Sequence, residues 1–258
     1  MKILTAFALG MSVAVGSMTG VSAAEPVVIK VAWSSEGDMR FPGSGQTACI
    51  SAMKNYVEVA SEGKFKFDLY PSGALGNPRT MIETAQTGAI QMVGAYTAIM
   101  VPFAPEISIT QIPYIFRDNM TAWKVMAGPV GDELADIFLK KTGLRVLAWP
   151  DGAGFRNIYT EKPVQSVADL KGMKMRVPEN PGLLAMFRGW GANTVTISWS
   201  ELYTSLQAGM AEGHDTELYS MFSAKLYEVN PHVTVTRHSF NLHPVMINED
   251  FFQSLSPN

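Results

Sequence analysis

Val27-Val28-Ile29-Lys30-Val31-Ala32-Trp33 is an apolar run rich in β-branched residues. Its length and composition predict a buried strand. Beyond it, Gly37 to Gly45 reads as a loop around Pro42. Ile50, Met53, Val57 and Ala60 then recur at helical spacing, which predicts a helix over 47–61 stopped by Gly63. Residues 65–70 alternate as a strand, and Pro71-Ser72-Gly73 is a turn. A helix over 79–87 stopped by Gly88 and a short strand over 90–94 follow. Pro102, Pro105 and Pro113 break the next stretch. A helical pattern over 121–142, interrupted at Gly128-Pro129 and closed by Gly143, leads to a strand over 144–149. The regular alternation of strand and helix implies an α/β fold with parallel strands and helices on both faces.

A second unit opens near Asp151. Residues 155–160 read as a strand, 166–170 as a short helix with a Ser cap, and 174–177 as a strand stopped by Pro178. A helix over 181–190, a strand over 194–197 and a helix over 200–207 follow, the last capped by Ser198 or Ser200. Residues 214–218 form a strand or loop, 222–229 a helix and 232–238 an alternating strand. A strand over 244–247 and a helix start over 249–255 close the sequence.

Ahead of the first strand, Lys2 precedes an apolar run and a small-residue end, Val21-Ser22-Ala23-Ala24. That pattern predicts a secretory signal peptide over 1–24, too short and too broken to span a bilayer. No cysteine sits at the expected cut, and the lone Cys49 excludes an internal disulfide. An exported protein held by its core alone fits a bacterial periplasm. No later segment is a membrane-span candidate, so a protein not itself membrane-embedded is expected. The formal charge is −3, from 20 Lys+Arg against 23 Asp+Glu, with no basic run, so nucleic acid is not an expected partner.

Enzyme constellations are absent: there is no G-x-S-x-G, H-E-x-x-H, C-x-x-C or P-loop. No metal or cofactor site is expected from a chain with 1 Cys and 4 His. His232 and His238 would share one strand face as surface or satisfied polar groups, and the neighbours His214 and Asp215 would point apart. Two arginines in glycine-flanked apolar settings stand out instead. Arg156 lies in Gly152-Ala153-Gly154-Phe155-Arg156-Asn157, and Arg176 in Gly172-Met173-Lys174-Met175-Arg176-Val177-Pro178. Arg176 falls at the C-terminal end of its strand, where open α/β sheets bind ligands, and a guanidinium there can grip a carboxylate through two parallel hydrogen bonds. Trp33 and Tyr96, with Ser34 beside the first, are candidates for a cleft wall.

Four stretches resemble a known family. They are Leu75-Gly76-Asn77-Pro78-Arg79 through Gly88-Ala89-Ile90, Ile112-Pro113-Tyr114-Ile115-Phe116-Arg117-Asp118, Ala168-Asp169-Leu170-Lys171-Gly172 through Arg176-Val177-Pro178, and Glu201-Leu202-Tyr203 through Glu212-Gly213. In this order they resemble the DctP-like substrate-binding proteins of tripartite ATP-independent periplasmic (TRAP) transporters. The resemblance implies a non-enzymatic receptor of two α/β lobes, a type II-like periplasmic binding protein fold, closing by a hinge on a small organic acid anion. Residues 25–151 and 242–258 would form lobe I and 152–241 lobe II, with the transporter's membrane subunits as partners. It also implies that Arg176 pairs with the ligand carboxylate, that Arg156 is the second family arginine, and that Trp199 lines the cleft. Where the family often reads D-G-Q-E-N, this chain has Glu212-Gly213-His214-Asp215-Thr216. Thr216 then replaces an amide ligand contact, with Asp215 beside it, so an acid with an apolar or aromatic body is expected to outbind a sugar acid. Family members continue through further helices, so a C-terminally incomplete sequence is expected. An ABC-type binding protein, an exported α/β enzyme and a sensor lobe feeding a signalling receptor are the alternatives. The ordered motifs argue against the first, and the missing nucleophile–base pairs against the second.

Overall fold

In the computed structural model, residues 25–35 and 44–255 are described. The expected signal peptide and the loop around Pro42 lie outside them. β1 (Val27–Trp33) is followed by α1 (Gly45–Ala60), β2 (Phe65–Tyr70), α2 (Pro78–Gln86) and β3 (Met92–Gly94). Side-chain caps start these helices. Ser44 accepts from the Thr47 amide at α1, and Asn77 accepts from the Thr80 amide at α2, with Pro78 in the first turn where no N–H is needed. The proline-broken stretch holds two elements the pattern does not reveal, α3 (Thr97–Met100) and a 3₁₀ turn over Pro105–Gln111. The interrupted helical pattern resolves into α4 (Asn119–Met126) and α5 (Pro129–Thr142). α5 ends at Gly143, whose φ of 70° is a left-handed cap that favours glycine. β4 (Leu144–Ala148) completes this part.

Then come β5 (Asp151–Thr160), a 3₁₀ turn over Val167–Leu170, β6 (Lys174–Val177), α6 (Pro181–Gly189) and β7 (Asn193–Thr196). A 3₁₀ turn over Trp199–Glu201 leads into α7 (Leu202–Gln207), and β8 (Gly213–Glu217) into α8 (Leu218–Ser223). β9 (His232–Leu242), β10 (Val245–Asn248) and α9 (Glu249–Ser254) finish the described chain. The expected helix over 222–229 is instead the end of α8 and a 3₁₀ turn over Leu226–Glu228, parted by the left-handed Lys225.

Two five-stranded sheets result, ordered β2-β1-β3-β10-β4 and β7-β6-β8-β5-β9. Helices cover both faces of the first. Ile29, Val31 and Trp33 pack with Ile50 of α1, whereas the intervening Ala32 packs with Met81 and Ile82 of α2. β1 pairs in parallel with β2 and β3, as the alternation implies. β10 departs from the expected all-parallel order: it is antiparallel to both β3 and β4. The reason is connectivity, because the chain leaves the first sheet after β4 and re-enters it running back from β9. In the second sheet β6 is parallel to β7 and β8, while β5 is antiparallel to β8 and β9.

β9 also departs from simple alternation. It runs on to Leu242, and its register against β5 shifts near Arg237, which has a φ of 47°. A bulge changes which side chains face which way. His232 is therefore exposed while His238 is fully buried, contrary to a shared face. The two crossings between sheets run side by side, and the His243 amide donates to the Pro150 carbonyl at 2.7 Å.

Candidate functional site

Arg156 sits on β5 between β8 and β9, and is 3% exposed. Its Nε donates to Asp215 Oδ2 at 2.6 Å, its Nη2 to the Asp215 carbonyl at 2.5 Å, and its Nη1 faces Glu217 Oε1 at 3.5 Å. Burial works against this guanidinium's charge, but the Asp215 and Glu217 carboxylates overcome it and raise its pKa. Burial likewise works against a charged Asp215, yet Arg156 and the His238 ring, 3.2 Å away, hold that carboxyl well below the usual range.

Arg176 differs sharply. It lies on β6, is 1% exposed, and donates its Nε to the Ile197 carbonyl at 2.8 Å. Among the described residues it has no ion pair, and its Nη2 has no hydrogen-bond partner. Burial lowers its pKa, with Tyr96 and Asp215 opposing the shift. A buried guanidinium without a carboxylate is costly, and an anion arriving from outside would relieve that cost.

The two arginines line one narrow cavity with about 20 Å³ of room for a water-sized molecule, open to solvent at its mouth. Ser34, Ser35 and Tyr96 line it from the first sheet, and Trp199, Thr216, Glu217 and Ser220 from the second. Asn241, at the end of β9, and His243, in the crossing that follows, complete the wall. A neighbouring cleft of about 210 Å³ shares Ser34 and Trp199. Polar contacts join the units beside the cleft. Arg79 pairs with Glu179, and Asn180 Nδ2 donates to the Ala98 carbonyl at 3.1 Å.

Arg176, Arg156, Trp199, Thr216, Tyr96 and Ser34 are thus brought together, and Trp33 and Asp215 are not among the lining residues. Trp33 is 0% exposed and packs in the core under α1. Side chains alternate along a strand, so its neighbour Ser34 is the one that reaches the cavity. Asp215 stands behind Arg156 as its counter-ion. Ser35, Glu217, Ser220, Asn241 and His243 escaped the sequence reading. The available signals were the run of polar residues 214–217 and the polar residues set among apolar ones over 239–247. Apart from Trp199, every lining residue carries a hydroxyl, amide, imidazole or charge, so the wall does not favour the expected apolar or aromatic acid over a sugar acid. Thr216 does not face a ligand with a free hydroxyl, since it donates to Glu217 Oε2 at 3.0 Å.

His214 gives the fold a pH dependence. It is 0% exposed, stacks on Tyr159 and meets Asn230 through Nδ1 at 2.9 Å. Burial pushes its pKa down to about 4. Because the folded value lies below the unfolded one, this stability is fully present above the unfolded value. It is lost as the pH falls toward 4, because the unfolded chain takes up the proton first. From the ordinary histidine value of 6.5 down to about 4, the expected loss is about 3 kcal/mol. Urea unfolding at pH 7 and pH 4 is expected to show this extra loss in the wild type but not in His214→Gln. Parallel pH dependences would exclude it.

Among the described residues, no helix is long and apolar enough to cross a membrane, and no group of acidic, His or Cys side chains could hold a metal. Residues 42–258 match the DctP model, described as bacterial extracellular solute-binding protein, family 7. The chain is 34% identical over 213 residues to a solute-binding protein of Verminephrobacter eiseniae, covering 82% of this chain and 63% of that one. It is 33% identical over 211 residues to the 2,3-diketo-L-gulonate-binding periplasmic protein YiaO of Escherichia coli, covering 81% of this chain and 64% of that one. It therefore spans less than two thirds of the length of these relatives. Among solved structures, a TRAP periplasmic solute-binding protein of Pseudomonas putida F1 with bound D-glucuronate superposes with a TM-score of 0.84 at 31% identity, covering 90% of this chain and 74% of that one. The fold is the two-lobe α/β fold of periplasmic binding proteins. On the extent of these matches, the chain belongs to the DctP family of bacterial extracellular solute-binding proteins.

Proposed function

We propose that this protein is a periplasmic receptor that captures a hydroxylated carboxylate and delivers it to the membrane subunits of a TRAP transporter. One observation carries the reading: Arg176 is buried at the cavity wall with no carboxylate partner, while Arg156 already has two. The ligand supplies the missing anion. As water leaves the cavity, the Arg176–carboxylate attraction strengthens. The polar wall favours a ligand bearing hydroxyls, in keeping with the names of relatives that bind D-glucuronate and 2,3-diketo-L-gulonate. Residues 25–151 with 242–258, and residues 152–241, act as the two lobes, hinged at the paired crossings. Binding favours closure only through contacts made by both lobes at once.

A thermal-shift screen of hydroxylated and plain organic acids tests this. A ligand that binds only the folded state, present at a hundred times its Kd, adds about 2.7 kcal/mol of stability. At least one carboxylate is expected to raise the melting temperature and to change the emission of Trp199, which lines the cavity half-buried. Loss of the ligand-induced emission change in Trp199→Phe assigns the signal. No shift with any carboxylate of the panel would overturn the receptor reading.

A further inference from the structure

The cavity wall carries a second cluster of polar side chains. Glu217, Asn241 and His243 are 1%, 1% and 6% exposed, and all three line the cavity. The Glu217 carboxylate is well supplied with donors: Thr216 and Ser220 each donate to Oε2 at 3.0 Å, Arg156 Nη1 approaches Oε1, and Asn241 Nδ2 also donates to Oε1. A carboxylate only accepts, so it fixes which end of the Asn241 amide faces it. That same Nδ2 lies 3.0 Å from His243 Nε2. The ring nitrogen facing an amide N–H must accept, so the neutral imidazole carries its proton on Nδ1. Burial, the leading influence on His243, lowers its pKa and favours the neutral ring. Gly152 makes room for the ring, since a Cβ there would stand 2.3 Å from Nε2.

This chain of donors leaves one acceptor and one donor open. Asn241 Oδ1 and His243 Nδ1 are buried and have no partner among the described residues. The two side chains touch through Nδ2 and Nε2, so one orphaned acceptor and one orphaned donor belong to adjoining groups of the cavity wall. A ligand hydroxyl, which both gives and takes a hydrogen bond, can match either. We infer that Asn241 and His243 determine specificity by reading a hydroxyl on the body of the carboxylate ligand, and that Glu217 is the positioning residue that sets their polarity. This rests on the receptor reading and adds to it a selectivity built into the strand returning to the first sheet. A ligand lacking the hydroxyl leaves both groups unpaired in a dry site, and sites of that kind reject such analogues strongly.

The test compares D-galactonate with hexanoate, and D-erythronate with butyrate, by calorimetry. The wild type is expected to prefer the hydroxylated member of at least one pair by about a hundredfold or more. Asn241→Ala is expected to cut that preference below about tenfold by weakening the hydroxylated probe alone. Glu217→Gln keeps the shape but removes the charge that orients the amide, so selectivity should fall in the same way. Imidazole nitrogen NMR supplies a readout that a merely structural role does not move. His243 should carry its proton on Nδ1 in the wild type, respond to the hydroxylated probe, and become a tautomer mixture in Glu217→Gln. If a variant fails to fold, the wild-type preference and tautomer still decide. Equal affinity for both members of each pair, or a proton on Nε2, overturns the inference while leaving a carboxylate receptor standing. Absence of binding by all four acids counts against the receptor reading itself and removes this inference with it.

Discussion

Arg176→Met is expected to abolish useful ligand affinity while leaving the unligated protein as stable as the wild type, or more so. The two halves of this result have one cause. Arg176 is buried without an ion pair among the described residues, and burial works against its charge. In the empty protein this is a standing cost, and an apolar side chain of similar length removes it. Under the proposed function the same charge would meet the ligand carboxylate, so its removal would leave a buried anion unpaired. The loss should be about 3–5 kcal/mol, as for breaking a buried pair. That corresponds to on the order of a hundredfold to several thousandfold in affinity. Arg176→Lys should recover only part, because an ammonium cannot present two parallel donors. Calorimetry with the best acid of the screen and urea unfolding without ligand make the pair of measurements. A loss below about fivefold, which is roughly 1 kcal/mol, would falsify the assignment.

Asp215→Ala should do the reverse to stability. Asp215 holds the Arg156 guanidinium through Nε at 2.6 Å and is itself 0% exposed. Deleting it strands a buried cation whose remaining carboxylate, Glu217, lies 3.5 Å away, and it also removes a partner of His238. The expected cost is about 3–5 kcal/mol of unfolding free energy, visible without any ligand. Replacing both members with apolar residues of matching size should cost much less, because no charge is then left uncompensated. A cost below about 1 kcal/mol for the single variant would show that Arg156 finds its counter-charge elsewhere. Together the two variants would separate an arginine kept for the ligand from one kept for the fold.

Much of this was legible locally. The strand at 174–177 was read with the bounds it has, because Gly172 before it and Pro178 after it punctuate the chain. That placed Arg176 at a strand end, and strand ends in such sheets face the binding crevice. Asn77, Asp118 and Asn180 cap helices through bonds to residues three positions on, which is within reach of a sequence reading. The proline-rich stretch hid α3 and the following 3₁₀ turn because elements of four and seven residues are too short to display a period. His232 and His238 were misassigned to one face because a bulge leaves little mark in periodicity.

By itself the sequence determined most of the longer strands and helices, and it brought Arg156 and Arg176 forward as the charges to watch. These depend on interactions between residues a few positions apart, which composition and spacing encode directly. Only the tertiary structure decided that Arg156 is neutralised and Arg176 is not. Arg156 meets Asp215 and Glu217 across separations of 59 and 61 residues, and the Asn241–Glu217 contact spans 24. It also decided that β10 enters the first sheet antiparallel, carrying the return strand, and with it Asn241 and His243, to the cavity. A charge's partner across a sheet is set by strand order and register. Those are settled by which apolar faces bury one another, and nothing in the local pattern around either arginine records the outcome.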